Sequence, residues 1–416
     1  MKATLLVTNI GELATPLGRS ARRGSEMNAV RIVPNAVIAV DIETIVWVGP
    51  AADMPRIEGP APEIVDAGGR SAIPGFVDSH THFIFGGYRD EEFFWRASGV
   101  PYMEIHSRGG GIANTVRATR ESSLDELRAL AIPRLERMLE LGVTTVEGKS
   151  GYGLDLETEL RQLETMRQLD ALQHVDIIPT YMGPHSIPQE YKGNPASYID
   201  FIIAEVLPRV QEKELACFCD IFCERGVFEI EESRRFLQAA KAAGFGLKLH
   251  ADEIVRIGGA GLAAELGATS ADHLLKATPK DLDAMATAGV VATCLPITAF
   301  SLKEPYANAR AMIDRGLAVA IASDFNPGSC YSQSIPLAAA LGALYMNMSI
   351  EEILTGLTLN GAAALDLAGD RGSIEPGKLA DILILDAPSY RHLAYNVGMN
   401  IVNTVLKRGK IVSVRA

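Results

Sequence analysis

The sequence predicts an α/β protein, a (β/α)8 TIM-like barrel with a small β-sandwich-like domain built from both chain ends. Three observations predict it. Eight short apolar runs alternate with helical patterns between residues 75 and 326, the alternation that a parallel barrel requires. The two ends, 1–72 and 374–416, read instead as short strands and turns. Polar residues suited to chemistry also fall at the C-terminal ends of several runs, where such barrels carry their sites.

At the N-terminus, ATLLVTN, AVIAVDIETIVWVG and EIVDAGG read as strands. The opening MKATLLVTNI has no long apolar core and no small-residue cleavage site, so it reads as a strand rather than a signal peptide. The eight barrel runs follow at 75–83, 142–150, 174–183, 216–223, 245–253, 268–275, 289–296 and 318–326. Between the first two, the spacing predicts a helix over 123–141. Ser123 and Glu126 form a capping box, Leu124, Leu127, Leu135 and Met138 share a face, and Gly142 stops it. Pro133 inside it predicts a kink. The triple glycine 109–111 reads as a flexible loop or an anion cradle before a helix. GKLADILILD and NIVNTVLKRGKIVSV complete the terminal domain. A doubly wound open sheet fits less well, because no Gly-x-Gly-x-x-Gly follows the first strand.

The 416 residues are 48% apolar and 22% charged, an ordinary globular composition. Net charge is −12 without a basic block, which argues against nucleic acid or an anionic membrane as partner. No stretch of about 20 apolar residues offers a membrane span. Five cysteines, an odd number, argue against a disulfide framework and for a cytoplasmic protein. Cys217, Cys219 and Cys223 share a strand parity and read as small buried residues or, less simply, as a thiolate site. Cys330 is placed to line a pocket, with no base beside it to make it a nucleophile.

The first run ends in PGFVDSHTH, and residues i and i+2 of a strand share a face, so His80 and His82 can reach one metal ion. His250 and Glu253 end the fifth run, His273 the sixth and Asp324 the eighth. Each has a bland reading alone: a structural histidine, a loop cap, a first-turn acid. Their coincidence on one rim is hard to explain by folding needs. Three neutral imidazoles and one carboxylate, His80, His82, His250 and Asp324, make a site for one divalent cation with room for water. Arg89 lies in the first strand–helix loop, where a guanidinium suits a carboxylate; the competing reading is a salt bridge to Asp90 or Glu91.

PGFVDSHTHFIFGGYRDEEF, VEGKSGYGLD, GPHSIP, LHADE and ASDFNPGS, with the more general EPGKLADILILD, carry a resemblance over essentially the full length. The chain resembles the metal-dependent amidohydrolase superfamily, and within it the imidazolonepropionase family. That resemblance implies hydrolysis of the cyclic amide of 4-imidazolone-5-propanoate to N-formimidoyl-L-glutamate, in histidine degradation, by a metal-activated water. It implies one divalent or ferric ion, Zn or Fe, since the fourth run lacks the bridging lysine of two-metal relatives and Lys149 is on the second. It implies catalytic roles for Glu253 as proton shuttle, His273 as carbonyl polariser and Asp324 as metal ligand and water orienter. Arg89, Tyr152, His185, Glu253, Asn326, Gly328 and Ser329 would contact the small anionic imidazolone, and relatives of this type are often homodimers. The rival readings are a mononuclear aminohydrolase or deiminase, such as a formimidoylglutamate or nucleobase deaminase, and a metal-free scaffold.

Overall fold

The computed structural model describes residues 1–100, 104 and 110–415. Five strands open the chain: β1 (Leu5–Pro16), β2 (Val30–Asp41), β3 (Thr44–Pro50), β4 (Glu63–Asp66) and β5 (Ser71–Pro74). The barrel strands are β6 (Phe76–Asp78), β7 (Val143–Lys149), β8 (Asp176–Tyr181), β9 (Phe218–Cys219), β10 (Phe222–Cys223), β11 (Gly246–Ala251), β12 (Ser270–His273), β13 (Val291–Cys294) and β14 (Val319–Ile321). The chain ends with β15 (Ile382–Leu385), β16 (Val402–Lys407) and β17 (Lys410–Val414).

Each of the eight expected runs holds a barrel strand, the fourth split into β9 and β10. The strands pair in parallel in the order β6-β7-β8-β9-β11-β12-β13-β14, with β10 beside β11. A parallel bridge between Thr81 and Phe325 closes the barrel. There the His82 N–H donates to the Phe325 carbonyl at 2.8 Å, and the Asp324 N–H to the His80 carbonyl at 3.0 Å. The backbone that closes the barrel therefore carries three of the expected site residues.

The terminal strands form one eight-stranded sheet, β17-β16-β15-β5-β1-β2-β3 with β4 beside β1. It curls on itself: Thr44 bridges Leu379, and Val7, Ile38, Ile382 and Leu406 share a core distinct from the barrel's. A buried lysine ties it to the barrel. Lys407 Nζ lies 2.7 Å from Asp381 and 2.9 Å from Asp176, the first residue of β8. Among the described residues no helix is long and apolar enough to cross a membrane.

The helix Leu124–Glu140 has the expected reciprocal cap, and it continues through Pro133 without a break. Of the expected apolar face, Leu127, Leu135 and Met138 are buried. Of the triple glycine, Gly109 lies outside the described residues. Gly111 precedes the helix Ile112–Glu121, and its N–H donates to the Glu92 carboxylate at 2.9 Å. Gly142 has φ +91°, and a Cβ there would lie 2.8 Å from Leu383 of the terminal sheet and 3.0 Å from Phe76 of β6. Strain and crowding act together at this joint. Gly142→Ala is expected to destabilise the fold by about 1–3 kcal/mol, read as a lower denaturant midpoint; an unchanged midpoint would show that the joint can relax.

Candidate active site and metal centre

Where β6 and β14 meet, His80, His82, His250 and Asp324 converge. All four are buried, 0–3% exposed. His82 Nε2 lies 3.3 Å from His250 Nε2, and Asp324 Oδ1 lies 3.5 Å from His80 Nε2 and 3.7 Å from His82 Nε2. His80, His82 and Asp324 each bring one ligand atom within 4.8 Å of the others, and so do His80, His250 and His273. Burial, reinforced by neighbouring cations and imidazoles, holds the His80, His82 and His250 rings well below the usual histidine value, in the neutral form that ligation needs. His80 Nε2 and His82 Nδ1 are buried without a hydrogen-bond partner, and a buried polar atom left unpaired is costly. Burial also pushes Asp324 up to about 7, against hydrogen bonds from Thr298 and Asn326. A cation at the convergence point would satisfy the orphaned nitrogen of His80 and restore the Asp324 carboxylate. The residues fit a metal ion.

The ring orientations are set one layer deeper, by residues the sequence reading did not place. His80 Nδ1 pairs with Asp272 Oδ2 at 2.7 Å, and His250 Nδ1 with Asp220 Oδ2 at 3.0 Å. Each carboxylate accepts the Nδ1–H, so both Nε2 lone pairs face the centre. Beneath them Lys149 Nζ donates to Asp220 at 2.7 Å and to Glu147 at 3.0 Å, and lies 3.6 Å from Asp272. Burial works against its charge, but Asp220, Glu147 and Asp272 outweigh it and hold the ammonium above its ordinary value. Lys248 lies 3.4 Å from the other Glu147 oxygen. Lys149 is thus committed to structural ion pairs, consistent with a single-metal site. The available signal was parity: Glu147 with Lys149, and Ser270 with Asp272, face one side of their strands.

Glu253 and His273 sit beside this centre. His273 Nε2 is 3.5 Å from Glu253 Oε2, and its ring centroid is 5.1 Å from that of His250. Glu253 is not the first-turn acid that its bland reading suggested, because the next helix starts at Gly259. Its loop is wrapped around the Asp252 carboxylate, which accepts N–H bonds from Ile257, Gly258 and Ala260. The loop is also held by Glu224, which accepts from Ile254 and Val255. Burial, then Asp324, pushes the Glu253 carboxyl up to about 8, whereas burial lowers His273 to about 4. Asp252, His273, Leu274 and Asp324 all have φ between +50° and +71°, strain of the kind that gathers at functional sites.

The other expected contacts divide into two groups. His185 stacks on His82 with centroids 4.9 Å apart, and Tyr152 lies 5.2 Å from His185. The Gly151 carbonyl lies 3.1 Å from His185 Nδ1 and accepts a hydrogen bond from its N–H, leaving Nε2 as the ring's acceptor. Burial holds this ring at about 4. Across the opening, Arg89 is bound not by Asp90 or Glu91 but by Glu92, at 3.0 and 2.8 Å. Asn326 is consumed inside its loop: its amide donates to Asp324 and Ser329 and accepts the N–H of Gly328 and of Ser329. Asn326 and Ser329 therefore shape the loop in this structure. Cys219 and Cys223 are buried as expected, whereas Cys217 is exposed at the start of its strand. Cys330 is buried, its thiol donating to the Ser323 carbonyl and pushed up by burial, unsuited to attack. Replacing Asp272 or Asp220 by Asn is expected to weaken metal binding about 10–100-fold with the fold retained, measured by chelator competition; unchanged affinity would separate these carboxylates from the metal.

Residues 71–412 match the amidohydrolase family. Over 415 residues the chain is 56% identical to the imidazolonepropionase of Bacteroides thetaiotaomicron, covering 99% of each. It is 53% identical to that of Clostridium tetani over 412 residues, covering 99% of this chain and 98% of the other. Among solved structures, 5-methylcytosine deaminase from Klebsiella pneumoniae superimposes with a TM-score of 0.74 at 17% identity, covering 99% of this chain and 98% of that one. E. coli guanine deaminase gives 0.71 at 15% identity, covering 99% of both chains, and these two likenesses bear on the fold alone. A closed parallel barrel, a histidine–aspartate convergence on its rim and relatives identical at more than half their positions together place this chain in the amidohydrolase family, among the imidazolonepropionases.

Proposed function

We propose that the chain hydrolyses the cyclic amide of 4-imidazolone-5-propanoate to N-formimidoyl-L-glutamate, a step of histidine degradation. The observation that carries this reading is the buried His80–His82–His250–Asp324 convergence, in a chain 56% identical to an imidazolonepropionase. His80, His82, His250 and Asp324 would hold one ion, Zn or Fe. When bound, such an ion supplies Lewis acidity and lowers the pKa of water toward ~7.

The chain's own residues supply the rest. Arg89 holds the propionate, and His185 and Tyr152 flank the imidazolone ring. Asp324 orients the water. Glu253 takes a proton from that water as its oxygen bonds to the ring carbonyl carbon. It then delivers the proton to the ring nitrogen as the carbon–nitrogen bond breaks, so one water is added across the amide. Glu253 is nearly buried and lies 3.5 Å from His273 beside the convergence point, where a carboxylate can carry a proton between water and the ring nitrogen. His273, neutral at physiological pH, can donate a ring N–H toward the developing oxyanion. Gly328 and Ser329 form the loop wall, with Asn326 holding its shape.

The same reading divides the chain into a discontinuous β domain, 1–72 and 374–416, and a barrel, 73–373, with β5 spanning the junction. It also includes a homodimer in the cytoplasm, where five free cysteines would stay reduced. A deaminase or deiminase would use a similar centre and release ammonia.

Loss of imidazolone absorbance without ammonia, abolished by a chelator, is the expected result. Ammonia from formimidoylglutamate or a nucleobase, with no ring loss, would replace the proposal by the deaminase reading. Glu253→Gln is expected to keep its metal and lose about 10²–10⁴-fold in kcat; native turnover would remove Glu253 from the relay.

A further inference from the structure

Arg89 stands immediately before the helix Asp90–Ala97, a position from which a long side chain has many rotamers to choose among. Here one is fixed. Glu92, one helical turn on and only 5% exposed, accepts from Arg89 Nε at 3.0 Å and from Nη2 at 2.8 Å. The same carboxylate accepts the Gly111 N–H at 2.9 Å, which ties it to the start of the helix Ile112–Glu121. On the far side of the guanidinium, Nη1 lies against Gly328 of the Asp324 loop, where any Cβ would collide with it.

A guanidinium has five N–H donors. Glu92 takes the edge formed by Nε and Nη2, and Gly328 lies closest to Nη1. What remains for a ligand is the outer edge between Nη1 and Nη2, wide enough for two parallel bonds to a carboxylate.

We propose that Glu92 is a positioning residue for substrate specificity: it presents the Nη1–Nη2 edge of Arg89 to the substrate's carboxylate, with Gly328 left bare to admit the guanidinium. This rests on the reading that Arg89 holds the substrate's propionate. It adds a residue that touches no substrate, yet decides how strongly an anionic side chain is preferred.

The test compares Glu92→Gln, Glu92→Asp, Arg89→Ala and the Glu92→Gln/Arg89→Ala double variant. Each is assayed, metal-loaded, on 4-imidazolone-5-propanoate and on 4-imidazolone lacking the propionate. Glu92→Gln should raise KM for the propionate substrate roughly tenfold or more, the loss of about one charge-assisted hydrogen bond, with kcat near native. KM for the side-chain-free ring should stay unchanged. Glu92→Asp, which keeps the charge, should recover part of the effect, and the double variant should be no worse than Arg89→Ala alone. Equal KM increases for both substrates would make Glu92 merely structural and overturn the proposal. So would a native KM in Glu92→Gln when Arg89→Ala raises it. If Arg89→Ala leaves KM unchanged, the reading of Arg89 itself fails, and the proposal with it.

Discussion

Two hydrogen bonds, from His80 Nδ1 to Asp272 and from His250 Nδ1 to Asp220, are the constraint on which the rest of the site depends. They fix the tautomers, and the tautomers aim two lone pairs at one point. Carboxylates buried to that degree are costly unless paired. The barrel interior supplies Lys149 from β7 and Lys248 from β11, and Glu147 joins the two lysines across it. Removing any one member would leave an uncompensated buried charge. This explains why short strands in an apolar barrel carry so many ionisable residues of matching parity.

The rim above is built by backbone as much as by side chains. The Thr81–Phe325 bridge that closes the barrel sets the spacing of His80, His82 and Asp324. Left-handed backbone at Asp252, His273 and Asp324 turns each chain sharply at its strand end. The bonds that close the sheet therefore also hold His80, His82 and Asp324 together.

The eight strands and the rim residues were legible because both follow periodic rules: runs alternate with helices, and functional groups fall where the runs end. The capping box at Ser123 and Glu126 was legible for the same reason, being a local pattern. Asp272 was not, although it stands next to His273, because a strand-end motif says nothing about which residue pairs across the barrel. Lys149 was weighed against the two-metal pattern, and its pairing with Asp220, 71 positions away, is long-range. Glu92 was missed differently. The reading looked to the adjacent Asp90 and Glu91, whereas residues three apart are the neighbours on a helix. Asn326 matched a substrate-contact motif, but its donors and acceptors are spent within its own loop.

The central claim is that one metal ion, held at the His80–His82–His250–Asp324 convergence, supports hydrolysis of an imidazolone ring. It is tested most directly by titrating metal-free protein with zinc or iron while following ring absorbance and counting bound ions. The account predicts activity that rises linearly and breaks at one ion per chain. A break at two ions per chain, or ring loss that needs no metal, would contradict it.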